Sequence, residues 1–179
     1  TLDLHQVLAR LLLLSVQNIG AERGSIVVLD EKLSPVDAAI VYGDRVQAHS
    51  TQQLLDIIDK GLVGWVIRNR QPAFVENTQK DERWLYHPDD SVERSGAKSA
   101  ICVPIITREK LVGVLTIVHP VPGFFSLDRL ELLQAIADQA GIGIYNAMLY
   151  ESLQAMNRRY RELFEDSIDP ILITDLEGN

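Results

Sequence analysis

The chain has 179 residues, of which 46% are hydrophobic and 23% are charged, and its 25 acidic side chains outnumber the 17 basic ones. This length and composition are typical of one well-buried globular domain with an appended segment. The acidic balance, without basic runs interleaved with aromatics, argues against nucleic acid or an anionic membrane as the main partner.

The start of the chain is expected to form a helix followed by a hairpin. Leucines at helical spacing predict an amphipathic helix over residues 2–18, and its apolar run, interrupted by Arg10, is too short to cross a bilayer. We therefore expect no membrane contact. The β-branched runs at 24–30 and 36–43 predict an antiparallel hairpin.

The middle of the chain combines short elements with a long connection. Helical patterns at 51–59 and 62–70 are followed by a predicted strand at 73–77. Residues 78–97 are polar throughout most of their length, and a loop this long in a compact domain is usually functional or disordered. A binding role for this loop is therefore a reasonable hypothesis.

The last part of the domain is predicted to be a second hairpin and a long helix. Strands are expected at 98–107 and 110–120. From Ser126, a helix should run to about residue 166, because Ser126 is a good N-cap and Asp128 suits the first turn. The order of elements predicts an α+β fold around an antiparallel sheet.

Apolar residues recur along the long helix at spacings of three and four, which indicates a coiled-coil seam with one eleven-residue step. The seam consists of Ile142, Tyr145, Leu149, Leu153, Met156, Tyr160 and Leu163. Its second half outreaches a domain that ends near residue 149, so we expect a homodimer formed through this helix. Folding back onto the N-terminal helix is the alternative.

Four blocks of sequence resemble a GAF domain, and they occur in the order typical of that family. They are LDLHQVLARLLLLSVQNIGAERGSIVVLD, KGLVGWVIRNRQPAFVENTQKDERW, KSAICVPIITREKLVGVLTIVHP and FFSLDRLELLQAIADQAGIGIYNAMLYESL. The tail RRYRELFEDSIDPILITDLEGN resembles the linking helix, first strand and turn of a PAS domain. The resemblance implies a GAF sensory domain at 1–150, a coiled-coil linker helix at 151–167 and a truncated PAS domain at 168–179.

The resemblance also implies a function. GAF–PAS arrays are typical of sensor histidine kinases and diguanylate cyclases, so we expect a cytoplasmic, non-catalytic module of a signal-transduction protein, such as a two-component system. It would bind a small molecule, dimerise, or both, and relay its state through the C-terminal helix. A ligand-free structural spacer and a GAF-fold enzyme are the alternatives. HExxH, GxSxG and metal-spaced Cys/His motifs are missing from the sequence, so no catalytic or metal residue is expected.

In GAF domains the ligand lies between one sheet face and the helices and loop that cover it. The candidate contacts are three residues of the polar loop and three alternate residues of one strand: Trp84, Tyr86, Arg94, Ser99, Ile101 and Val103. Trp84, an aromatic in a polar loop, either plugs the sheet or closes over a ligand. Arg94 would meet an anionic group. The single cysteine, Cys102, is interpreted as a small buried side chain of the strand.

Three GAF cofactors or ligands are poorly supported by the residues. The attachment cysteine of plant-type phytochromes would fall near His87, so a covalent bilin is not expected. Phe124 and Asp128 keep the spacing of the cyclic-nucleotide signature, but Arg129 replaces its Glu and the Asn-Lys pair is missing. As haem ligands, His87 and His119 are less well explained than as ordinary loop and strand-end histidines. The ligand itself stays unknown.

Overall fold

The computed structural model describes residues 3–47, 61–84 and 96–177. Its elements in chain order are α1 (Leu4–Ile19), β1 (Arg23–Leu29), β2 (Pro35–Tyr42), β3 (Arg45–Gln47), α2 (Leu62–Asn69), β4 (Ala73–Val75), β5 (Ser99–Thr107), β6 (Lys110–His119) and α3 (Leu127–Glu177). The predicted helix 51–59 lies outside the described residues. The other predicted elements before α3 are confirmed with boundaries that shift by at most two residues, whereas the short strand β3 was not predicted.

One six-stranded sheet organises the domain, with the strand order β3-β2-β1-β6-β5-β4. Every neighbouring pair is antiparallel, and both predicted hairpins are present as β1–β2 and β5–β6. The predicted α+β class with an antiparallel sheet is therefore confirmed. Because successive residues of a strand point to opposite faces, the register assigns each side chain to one of two helical layers.

One face of the sheet packs against α1 and the first part of α3. An added Cβ at Gly24 of β1 would lie 2.7 Å from a methyl carbon of Val16, so α1 crosses the sheet in close contact. An added Cβ at Gly141 of α3 would lie 3.2 Å from a methyl carbon of Ile105 in β5. The buried side chains of this layer include Leu8 and Leu12 from α1.

The opposite face packs against α2. Val27 of β1 and Cys102 of β5 belong to a buried cluster with Val63 and Val66 of α2. Trp84, in the connection that follows β4, packs against this cluster. Strands β5 and β6 are thus covered on both faces, which is why they read as nearly continuous apolar runs in the sequence.

The chain divides into two compact units, Thr1–Tyr145 and Asn146–Asn179, and α3 contributes to both. The predicted long C-terminal helix is present, and it continues past residue 166 to Glu177, so the residues expected to begin a strand after 168 are helical as far as Glu177. The assignment of 168–179 to the start of a PAS domain stays a prediction.

Across the described ranges, none of the helices combines the length and the apolar run that crossing a bilayer requires.

Candidate functional site

A cavity of about 50 Å³ lies on the α2 side of the sheet. Strands β1, β2 and β6 form its floor, the start of α2 with Leu62 and Val63 forms one wall, and Trp84 lies at its edge. The lining is mostly apolar, as is usual in small-molecule sites, where a few polar groups fix the orientation of the ligand.

The polar groups of the floor are set by the strand register. Ser25 of β1 lies opposite Thr116 of β6, and Arg23 is the next residue of β1 on the same face. The Thr116 hydroxyl donates to the Cys102 sulfur at 3.1 Å, and the Arg23 guanidinium carbon lies 5.1 Å from the centre of the Tyr42 ring. Arg23, Ser25 and Thr116 are therefore the polar residues of an otherwise apolar lining.

Cys102 contacts Thr116 of this floor, but its thiol is unreactive. Its side chain is fully buried, and burial raises the pKa of the thiol to about 12. The thiol stays protonated at neutral pH, and the protonated form is a poor nucleophile. The expectation of a small buried strand residue is confirmed.

Trp84 is the one predicted ligand residue that the described part of the chain brings to the cavity. Trp84 is partly buried against the cluster that contains Val63 and Val66 of α2. The preceding residue, Arg83, was not predicted, and its guanidinium contacts Asp81, the Phe74 carbonyl and the Trp65 ring. The signal in the sequence was the carboxylate two residues earlier, Asp81, since Asp commonly caps its own turn through the backbone two residues on.

The three predicted strand residues lie on the other face. Ser99, Ile101 and Val103 are at most 1% exposed and alternate with Cys102, which faces α2. The Ser99 hydroxyl donates to the Val121 carbonyl at 2.7 Å, so it serves a turn. None of the three lines the cavity beneath α2, and their role as ligand contacts stays a prediction.

Three other residues singled out from the sequence, Tyr86, His87 and Arg94, lie outside the described residues.

His119, one of the two histidines weighed as haem ligands, belongs to an aromatic corner between β6 and α3. Its ring stacks on Phe124 with a centroid distance of 3.4 Å, and its Nδ1 accepts the Val121 N–H at 3.1 Å. The Arg129 guanidinium lies 4.1 Å from the centre of the Phe124 ring on this corner and donates to the Phe124 carbonyl at 2.8 Å. These contacts give both His119 and Arg129 structural roles.

The start of α3 follows the predicted pattern. The Ser126 hydroxyl accepts the Arg129 N–H at 3.3 Å, and Asp128 lies in the first turn. The expectation that Asp128 is a helix-start acid is confirmed.

Stability is expected to decrease as the pH falls below about 6.5, the usual pKa of histidine in an unfolded chain, through a contribution from His119. Burial lowers the pKa of His119 in the folded protein, so the unfolded state binds the proton more readily. The contribution is complete above the unfolded pKa and is lost as the pH falls through the folded one. Urea unfolding of wild type and His119→Phe between pH 7.5 and 5 measures it. The variant keeps the ring stack, and an equal pH slope in both proteins would contradict the assignment.

Within the described ranges, no group of three or more His, Cys, Asp or Glu side chains is placed to hold a metal ion.

The fold is an antiparallel sheet with helices on both faces and a small cavity beneath α2. Residues 3–144 match the GAF domain family, and the chain belongs to that family. GAF domains are small-molecule-binding sensory modules of signalling proteins, and the GAF-like fold expected from the sequence is confirmed.

Known proteins resemble the chain in sequence and in structure. It is 25% identical over 154 residues to the "Probable 3',5'-cyclic phosphodiesterase pde-5" of Caenorhabditis elegans, covering 82% of this chain and 21% of that protein. It is 27% identical over 183 residues to the cGMP-specific 3',5'-cyclic phosphodiesterase of Drosophila melanogaster, covering 90% of this chain and 16% of that protein. The chain thus spans about a fifth or less of the length of these relatives.

Among solved structures, the GAF domain from a phosphoenolpyruvate-protein phosphotransferase (ptsP) of Coxiella burnetii has a TM-score of 0.65 at 17% sequence identity. The match covers 85% of this chain and 88% of that one. At this identity the similarity concerns the fold.

Proposed function

We propose that this chain is a non-catalytic sensory module that binds a small molecule in the cavity beneath α2 and relays its occupancy along α3. The observation that carries the proposal is the cavity lining, where Arg23, Ser25 and Thr116 lie among apolar residues that include Trp84. Such a combination of apolar walls and a few convergent polar groups is the usual form of a small-molecule site.

The chemistry of the lining limits the ligand. Arg23 supplies a permanent positive charge, and the hydroxyl of Ser25 can donate a hydrogen bond. Trp84 offers a flat apolar surface at the edge of the cavity. The ligand we propose has a planar apolar part and an anionic or strongly accepting group. Cyclic nucleotides have this form, and the name of the Drosophila melanogaster relative, a cGMP-specific phosphodiesterase, makes cGMP the first compound to test.

The route to α3 follows the chain. Strand β6 carries Thr116 at the cavity and ends in the His119–Phe124 corner that leads into α3. The first part of α3 also packs on the sheet through Gly141 and Ile105. A shift of β6 on ligand binding would therefore reach α3 by direct contact. We further propose that α3 leads to a second sensory domain, of PAS type, and to an effector such as a histidine kinase, a diguanylate cyclase or a cyclic phosphodiesterase.

A ligand-free structural or dimerisation spacer is the competing function, and the cavity volume favours it. About 50 Å³ admits a few water molecules, whereas small-molecule sites measure roughly 300–1,000 Å³. A nucleotide-sized ligand therefore requires Trp84 to move outward, and a spacer requires no such movement.

A thermal-shift titration with cGMP, cAMP, free amino acids and common metabolites separates the two functions. A compound at about 100 times its dissociation constant should stabilise the wild type by roughly 2.7 kcal/mol and raise the melting temperature by several degrees. Trp84→Ala should abolish the shift. Tyr150→Ala is the control and should keep the shift, because Tyr150 is an exposed aromatic residue of α3 that does not line the cavity.

A spacer predicts a different result. No compound would then shift the wild type, and Ser25→Leu, which fills part of the cavity, would raise the melting temperature.

A further inference from the structure

We infer that Arg83 is the positioning residue for Trp84: it ties the turn 81–84 to α2 and β4, and thereby holds the indole at the cavity. This inference rests on the proposed function, because it specifies how the cover of the proposed binding cavity is held in place.

The turn that carries Trp84 is closed by Asp81 and Arg83. The Asp81 carboxylate accepts from the Arg83 Nε at 2.9 Å, from its Nη2 at 2.6 Å and from its backbone N–H at 3.0 Å. The backbone N–H of Trp84 donates to the Asp81 carbonyl at 3.1 Å. The backbone of Trp84 is therefore fixed by the same residue that pairs with the Arg83 side chain.

The same guanidinium group fixes the turn to the rest of the domain. Its Nη2 donates to the Phe74 carbonyl of β4 at 3.2 Å, and its carbon lies 4.8 Å from the centre of the Trp65 ring on α2. Strand β4 is at the edge of the sheet, so this donor satisfies a carbonyl on the edge strand. Only a planar fork of donors can pair with a carboxylate at two atoms, reach a carbonyl and stack on a ring at once, which excludes lysine.

The pair is partly shielded from water, which strengthens it. The Arg83 side chain is 28% exposed and the Asp81 side chain is 17% exposed. The hydrogen bond from Arg83 lowers the pKa of Asp81, so the carboxylate stays ionised at neutral pH.

A second set of contacts ties the long connection further from Trp84. The Thr78 N–H donates to the Lys98 carbonyl at 2.8 Å, and the Lys98 N–H donates to the Thr78 hydroxyl at 3.0 Å. These bonds join the two ends of the connection between β4 and β5. Neither bond involves Trp84. Among the described residues, the side-chain hydrogen bonds of the turn 81–84 are those of Asp81 and Arg83.

The test is amide hydrogen exchange of the ligand-free protein, measured by NMR. In Arg83→Met, which keeps the aliphatic stem, the Trp84 amide should exchange roughly tenfold faster, since a charge-assisted network closes its turn. The amide of Leu115 in the centre of the sheet should keep its wild-type rate. Arg83→Lys should not restore the Trp84 rate, and Lys80→Met, an exposed change in the same connection, should leave it unchanged.

Asp81→Asn provides a second variant if Arg83→Met does not fold, because it weakens the pair and keeps the guanidinium over Trp65. Wild-type exchange at Trp84 in whichever of these variants folds overturns the inference. The readout needs no bound molecule. A failure of cGMP and the other compounds to bind the wild type therefore rejects the proposed function alone, and the Trp84 exchange rate decides separately on Arg83.

Discussion

Gly113→Ala is expected to lower the free energy of unfolding by about 3 kcal/mol, at the upper end of the usual cost of overpacking. A Cβ at this position would lie 2.5 Å from the carbonyl oxygen of Val27 and 3.4 Å from the Cδ1 of Ile105. The first contact is with backbone, so no rotamer change relieves it. Relief requires β6 to move away from β1, and these strands pair at the centre of the sheet.

Urea unfolding followed by circular dichroism measures the loss. Gly143→Ala is the matched control, because a Cβ there meets nothing within 4 Å and the residue lies within α3. That change should raise the free energy of unfolding by about 0.5–1 kcal/mol, the usual gain from replacing glycine inside a helix. Equal stability of Gly113→Ala and wild type would show that β1 and β6 are not as close as described.

Leu153→Glu combined with Leu163→Glu is expected to convert a dimer of this chain into a monomer. Six of the seven predicted seam residues are at least half exposed in the single chain: Ile142, Leu149, Leu153, Met156, Tyr160 and Leu163. The seventh, Tyr145, is half-buried, and the Arg108 guanidinium carbon lies 5.3 Å from the centre of its ring. Covering a leucine is worth roughly 1.5–3 kcal/mol, so removing two should weaken association at least a hundredfold.

Sedimentation equilibrium over a wide concentration range measures this association. Gln154→Glu combined with Ala155→Glu adds the same charge to the same helix. At 100° per residue, both positions turn away from the seam. This control should associate like the wild type. A wild type that stays monomeric at millimolar concentration would remove the homodimer from the proposed function.

The hairpins and helices before α3 could be predicted because each has a single strong pattern. The runs 24–30 and 36–43 alternate or are β-branched, and turn residues bound them. The face that each β5 residue occupies could not be predicted in the same way. Ser99, Ile101 and Val103 are as buried as the residues between them, and Ile101 and Val103 are as apolar, so alternation leaves no signal in the sequence. Only the register with β6 and the position of α2 distinguish the two faces.

The candidate site shows the same limit. Trp84 could be found from the sequence because an aromatic in a polar loop needs a surface to cover. Arg23, Ser25 and Thr116 come from strands that are far apart in the sequence, and only the pairing of β1 with β6 brings them to one floor. The end of the chain also differs from its sequence pattern. The residues after Asp169 have the composition of a strand, but they are helical as far as Glu177.

The burial of Cys102 makes the chain well suited to site-specific labelling. Burial raises the pKa of its thiol to about 12 and keeps the sulfur away from solvent, so maleimide reagents should leave it unmodified. It is the single cysteine of the sequence. One cysteine introduced on the exposed face of α3 would therefore carry a spin label or fluorophore without any background substitution. Distances between labels on two copies would then report directly how α3 responds when the cavity is filled.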